Sequence, residues 1–400
     1  MAAMSLVMPA PASATIAALP PNTHFYVGDP NPGATQQIAD LKAAGKTGAA
    51  RRLKAMVNTP SAVWFTQGTP AEVKAYAQQV IADANDEGTV PVLVAYNVPG
   101  RDCSLYSAGG AANGPAYRAW IDKLVEGIGQ TKAVVIVEPD GLSLLPSDCG
   151  ETDAAAPNDR KSLISYAAHK FLDDANALVY IDAGNSNWNT VGLTAKRLVD
   201  VGVDDVAGFA LNVSNFQYTK NSTVYGTWVS KCIAFATLVD PGNYAACPDQ
   251  YGSYGGVALS SFGKWSDGAS KAKFNTAAEN NRYDALLGST QPTTHFVVDT
   301  SRNGRGPWKG TSAHPASDDD TEAWCNPLDR GAGARPTANT AKTLVDAYLW
   351  IKLPGESDGL CYRWTDGPKD PARDMKDPSA GAWFRQQALE LANLAVPSFP

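Results

Sequence analysis

Histidine is scarce in this sequence, at four residues in 400, and its six cysteines form no Cys-x-x-Cys pair. That is a poor inventory for a transition-metal site. Carboxylates could still hold Mg²⁺, but no phosphate-binding glycine loop accompanies them. No metal and no cofactor is therefore assigned. Positive charge is in the minority too: 33 Lys and Arg against 40 Asp and Glu give a net charge of −7, and the basic residues are scattered. Nucleic acid and anionic membrane surfaces select for basic patches, so neither is expected as a partner. No apolar run is long enough to span a bilayer. No internal repeat or low-complexity linker stands out, so no appended binding module is expected.

The N-terminus, Met1 to about Ala18, is small, apolar and free of Lys and Arg. Its Ala-Ser-Ala-Thr-Ile-Ala stretch is of cleavage-site type, although the basic start of a secretory signal is missing. Residues 1–22 are read as a signal remnant and residues 23–400 as one domain. An even number of cysteines in a chain of secreted character favours disulfides over buried thiols. Sequence order suggests Cys103–Cys149, Cys232–Cys247 and Cys325–Cys361, while other pairings stay formally open.

What the chain does have is a stretch that organises the rest: Val134-Val135-Ile136-Val137-Glu138-Pro139-Asp140. Four β-branched residues in a row predict a strand buried on both faces, as in a parallel sheet. Pro139 has no N–H to donate and stops the ladder. Similar segments recur at about Ser61–Trp64, Val90–Tyr96, Leu178–Ile181, Val206–Leu211, His295–Val298 and Tyr348–Ile351. Helical spacing lies between them at Ala71–Ala84, Ala116–Ile128, Arg160–Ala175 and Val191–Val201. Strands alternating with helices predict βαβ units. Seven of them predict an α/β, closed or nearly closed parallel barrel, with its cleft at the C-terminal strand ends. Residues 217–282 show little periodicity and read as a long loop, stapled by its own cysteines, that walls this cleft.

Acids follow five of these strands: Asp102, Asp140, Asp182, Asp299 and Asp358. One could cap the next helix, a role open to Asp140, but five at matching points suggest a carboxylate-lined cleft. With no histidine close by in sequence, a Ser-His-Asp mechanism is disfavoured. An acid behind a hydrocarbon strand is a candidate for a raised pKa and proton donation. Trp64, Trp188 and Trp324 lie in strand-end loops, where indole faces can stack on the C–H faces of sugars. Acids to cleave and indoles to hold read as a glycosidase.

The blocks Val94 to Cys103 with Ser107 to Gly110, and Val135 to Asp140, resemble the two signatures of glycoside hydrolase family 6. Asp182-Ala183-Gly184, Asn212 to Asn215, Trp324-Cys325-Asn326, Trp350 to Gly359 and Ala380 to Phe384 are similar to further blocks of that family, in order, over roughly residues 25–400. The resemblance implies a distorted seven-stranded β/α barrel and a secreted, monomeric cellulase that cuts β-1,4-glucan with inversion. It implies Asp140 as general acid, Asp102 as the neighbour that raises its pKa, and Asp358 as the position proposed for the base. Trp64, Tyr96, Arg101, Trp188, Asn215, Trp324, Lys352 and Glu356 carry over as sugar or reaction-centre contacts. Cys103–Cys149 and Cys325–Cys361 resemble the family's disulfides, with Cys232–Cys247 an addition. Asn185 stands where the family has histidine; it cannot titrate, but it can donate a hydrogen bond to a sugar. The short Asp102–Asp140 segment favours an open groove and endoglucanase action. The middle stretch and Tyr362–Ser379 favour a roofed, cellobiohydrolase-like tunnel. A non-catalytic glucan-binding protein would be expected to have lost one of the three acids.

Overall fold

The computed structural model describes residues 19–400 except 153, 253–257, 268–275, 311–321 and 364. The proposed signal remnant thus lies, through residue 18, outside the described residues. Seven strands run through the described chain: β1 (Val63–Phe65), β2 (Val92–Ala95), β3 (Ala133–Val137), β4 (Ala177–Asp182), β5 (Gly208–Leu211), β6 (His295–Asp299) and β7 (Val345–Leu349). Each pairs in parallel with the next, so spatial order repeats sequence order. That order is the α/β barrel arrangement expected from the sequence. The ladder does not continue from β7 to β1, yet the two edges meet. The Ala62 amide donates to the Trp350 carbonyl (2.8 Å) and the Trp64 indole to the Ile351 carbonyl (2.7 Å).

The helices are α1 (Pro32–Ala43), α2 (Thr47–Val57), α3 (Pro70–Asp86), α4 (Gly114–Ile128), α5 (Arg160–Asp174), α6 (Val191–Val199), α7 (Thr219–Ala234), α8 (Ala277–Leu287) and α9 (Arg385–Asn393). Local chemistry sets where they start. Thr69 and Glu72 form a reciprocal capping box ahead of α3, whose first residue is Pro70. The side chains of Asn113 and Asp159 cap α4 and α5 by accepting from the Ala116 and Ser162 amides. Among the described residues no helix is long and apolar enough to cross a membrane.

Period-two alternation sorts the strand side chains into two cores. Leu93, Ala95, Val135, Val137, Val179, Ile181, Phe209 and Phe296 face the helices. Val92, Val94, Val134, Ile136, Tyr180, Ala210, Val297 and Ala347 fill the barrel. Ile136 is wholly buried there, and truncating it to alanine should cost roughly 2–5 kcal/mol. A third cluster of Leu53, Met56, Trp350 and Leu391 packs α2 and α9 over the seam between β7 and β1.

Two expectations need correction. β7 begins three residues before the predicted segment and ends at Leu349, because its burial alternates rather than running apolar throughout. The stretch 217–282 is not a featureless loop: α7 follows β5 and the start of α8 falls within it, with Cys232 bridged to Cys247. The other bridges are Cys103–Cys149 and Cys325–Cys361, so all three pairings suggested by sequence order form.

Candidate active site

At the end of β3 the backbone turns left-handed at Glu138 and again at Asp140, with φ of 50° and 64°. Such a conformation costs a non-glycine residue roughly 1–2 kcal/mol. The turn sends the two carboxyls to different fates. Glu138 is wholly buried and accepts from the amides of Asn97 (3.0 Å) and Val98 (3.0 Å) and from the Tyr117 hydroxyl (2.8 Å). It ties β2, β3 and α4 together, and burial pushes its pKa up to about 7 against those hydrogen bonds. Asp140 is only half-buried. It caps no helix, since α5 starts at Arg160 behind its own cap, Asp159.

The Asp140 amide donates to Asp182 Oδ1 (2.9 Å), as does the Gly184 amide (3.0 Å). Asp182 is wholly buried, and its Oδ2 has no partner among the described residues. Burial pushes it up to about 7, and Asp299 adds to the rise. The Asp140 carboxyl is held well above its ordinary value by burial first, then by Asp182, Asp102 and Asp358. Asp182, which the sequence reading had not assigned to this part, comes before Asp102 among the charges that raise it. A carboxyl that keeps its proton near neutrality is what a general acid requires.

Asp102 sits in the loop after β2, with its Oδ2 on the Ser107 amide (2.6 Å). Burial raises its pKa, offset by that hydrogen bond and by Arg101. Arg101 lies over the Tyr96 ring (4.5 Å) and donates to the Thr66 carbonyl (2.7 Å). Burial and the charges of Asp140 and Asp102 drive the Tyr96 hydroxyl well above its ordinary value. Cys103–Cys149 ties this loop to the one after β3.

Asp358 is buried against Arg302, whose Nη1 lies 2.9 Å from it, and the Asn326 amide donates to its Oδ2 (2.9 Å). Arg302 also donates to the Ser214 carbonyl and lies over Phe216 (4.3 Å). Asp299 is spent on the amides of Ser214, Ser301, Ile351 and Lys352. The five strand-end acids thus do not all line a cleft: Asp182 and Asp299 lie buried beneath it.

Against this geometry, the sequence profile described as "Glycosyl hydrolases family 6" matches residues 21–395. The chain belongs to this family. Its relatives include Endoglucanase A of Cellulomonas fimi, 33% identical over 94% of this chain and 62% of that protein, so the chain spans less than two thirds of that relative. Endoglucanase 1 of Streptomyces halstedii is 33% identical over 85% of this chain and 83% of its own length. The fold superposes on the endoglucanase Cel6 of Mycobacterium tuberculosis, solved in complex with methyl-cellobiosyl-4-deoxy-4-thio-β-D-cellobioside, with a TM-score of 0.64 and 32% identity over 93% of this chain and 97% of that one.

The remaining sugar-contact candidates of this family 6 chain fall into three groups. Trp64 meets Tyr96 edge-on (5.5 Å) with Lys352 Nζ 5.8 Å from its ring centre, and burial holds Lys352 below the usual lysine range although Glu356 and Asp358 pull it up. Glu356 accepts from the Asn31 side chain (3.1 Å). Trp188, half-buried after β4, accepts on its carbonyl from the Tyr251 hydroxyl (2.9 Å). Asn185 Oδ1 is taken by the Asn187 amide (2.9 Å) and Asn215 Oδ1 by the Phe216 amide (2.9 Å), so each side chain's oxygen stabilises its own turn. Trp324 packs 6.4 Å from Tyr106, whose hydroxyl accepts from the Tyr362 amide (2.9 Å) and donates to Glu322 (2.9 Å). Sequence reasoning had not singled out Tyr106, Arg302 or Asn326. The only signal for Arg302 was a cation three residues after a strand-end aspartate.

Proposed function

We propose that this family 6 chain is a secreted cellulase that cuts internal β-1,4-glucosidic bonds with inversion of configuration, Asp140 acting as general acid. The observation that carries the reading is the Asp140 carboxyl, half-open at the end of β3, beside the buried Asp182 that takes its amide, and with its pKa raised well above the ordinary value by burial and by Asp182, Asp102 and Asp358. It would hand its proton to the bridge oxygen while a water attacks the opposite face of the ring. That geometry asks for a base about 6.5–9.5 Å from the acid. Asp358 is close enough to raise the pKa of Asp140, and Arg302 and Asn326 leave its carboxylate lone pairs for a water. Trp64, Trp188 and Trp324 would stack on glucose rings, with Lys352, Glu356, Asn185 and Asn215 near their hydroxyls. The names of the Cellulomonas and Streptomyces relatives support endo action on this substrate class.

One observation favours exo action instead. Tyr106 joins the loop that carries Asp102 to the segments around Glu322 and Tyr362, and its side chain leaves no room for a Cβ on Gly359, 2.3 Å away. A cleft bridged in this way would be threaded from a chain end rather than entered from the side. The catalytic reading itself is tested with Asp140→Asn. Hydrolysis of unactivated glucan should fall roughly 10²–10⁴-fold, with cellulose binding retained. Turnover close to the parent's would remove Asp140 from its role.

A further inference from the structure

The segment between Cys361 and α9 carries a buried acid that the reaction as described does not use. Asp377 is 2% exposed; its Oδ2 accepts from the Asn326 side-chain amide (2.8 Å), and its Oδ1 has no partner among the described residues. Asn326 is itself wholly buried in a left-handed conformation, φ 39°. That turn aims its backbone N–H at Asp358 Oδ2, while its side-chain oxygen accepts from the Asp358 amide (2.8 Å). Asn326 therefore grips Asp358 at two points, and the grip works in one amide orientation only. Flipped, its NH₂ would face the Asp358 N–H, donor against donor. What forbids the flip is the set of acceptors around Nδ2: the Asp377 carboxyl, the Gly359 carbonyl (2.9 Å) and the Ser357 hydroxyl (3.0 Å). Gln387 donates to Oδ1 from the other side (3.2 Å).

We propose that Asn326 and Asp377 are positioning residues for the reaction: Asp377 fixes the Asn326 amide, and Asn326 in turn holds the Asp358 carboxylate against Arg302 at the reaction centre. The inference rests on Asp358 having the role assigned above. Asp377 also links this grip to pH. Burial pushes it up to about 7, with Asp370 raising it further and Arg373 and Arg363 opposing. Below that pH the carboxyl is neutral and fits its enclosure. Above it, a negative charge with one unpartnered oxygen forms under the Asp358 loop, and the loop relieves it by opening to water.

The test is steady-state hydrolysis of carboxymethyl-cellulose by the full chain between about pH 5 and pH 8, for Asp377→Ala, Asp377→Asn and Asp358→Asn. Asp377→Ala should lower kcat roughly tenfold or more at constant KM. Asp377→Asn still presents an oxygen to Asn326, so it should recover most of that kcat at the acidic end and carry activity to higher pH than the parent. The inference fails if the Asp377→Ala loss tracks the folded fraction seen by circular dichroism, or if KM rises while kcat holds. Should Asp377→Ala not fold, an alkaline limb unmoved in Asp377→Asn overturns the inference by itself. Asp358→Asn separates the two layers. If it stays active, the role of Asp358 is wrong; if it is inactive while both Asp377 variants match the parent, only the positioning claim is wrong.

Discussion

The amide of Asp140 donates to one carboxylate oxygen of Asp182 at 2.9 Å, and the other Asp182 oxygen is buried without a partner among the described residues. One hydrogen bond thus fixes where Asp140 sits, and the group that accepts it is the charge that lifts the Asp140 pKa most.

Asp182→Asn keeps an oxygen for the Asp140 and Gly184 amides but removes that charge. The Asp140 pKa should fall, and the alkaline limb of kcat/KM should move to lower pH by roughly one unit, the size of a close like-charge effect. A pH–rate profile measured on soluble β-1,4-glucan decides it; a limb that stays in place means the Asp182 charge does not set the acid.

Glu138 governs stability rather than turnover. Its folded pKa of about 7 lies above the ordinary glutamate value of 4.5. Its contribution is therefore complete below about pH 4.5 and is lost as pH rises through about 7, by about 3 kcal/mol. Chemical denaturation of the parent should show that decline. Glu138→Gln, which keeps one oxygen for the Asn97 and Val98 amides, should flatten it; equal slopes in the two proteins would rule out Glu138 as its source.

Arg302 is wholly buried against Asp358. Arg302→Met leaves that carboxylate without its ionic partner and should destabilise the protein by roughly 3–5 kcal/mol. Adding Asp358→Leu should return most of that stability while activity stays lost. Urea titrations of the two variants make the comparison, and a double variant no more stable than the single one speaks against the ion-pair explanation.

Tyr106→Ala removes the clasp between the Asp102 loop and Tyr362. If the clasp restricts entry, the variant should lower carboxymethyl-cellulose viscosity more per reducing end released. Tyr106→Phe loses two hydrogen bonds, each worth about 0.5–1.5 kcal/mol, and should lie between. Identical ratios in all three proteins mean the cleft is entered freely despite the clasp.

The fold was legible where burial follows a simple period. β3, Ala133–Val137, contains the whole Val134–Val137 run read from sequence, because every one of its residues is buried. α7 was not legible. Its buried face includes Asn221, Ser222, Gly226 and Ser230, and their partners, such as the Gly263 and Thr294 carbonyls, lie far along the chain. Gly226 is required because the Phe296 ring lies 2.5 Å from where a Cβ would sit. The site divides in the same way. Asp102, Asp140 and Asp358 stand in recognisable blocks. Glu138, equally prominent in sequence, proves to be a clamp because the turn at Pro139 directs it inward. The grip of Arg302, Asn326 and Asp377 on Asp358 depends on loops brought together only by barrel closure.

The central claim is a single displacement driven by a proton on Asp140. Proton NMR of cellopentaose hydrolysis, recorded before mutarotation, tests it most directly. The α-anomer should appear first at the new reducing end. First appearance of the β-anomer would mean a retaining double displacement and would contradict the account.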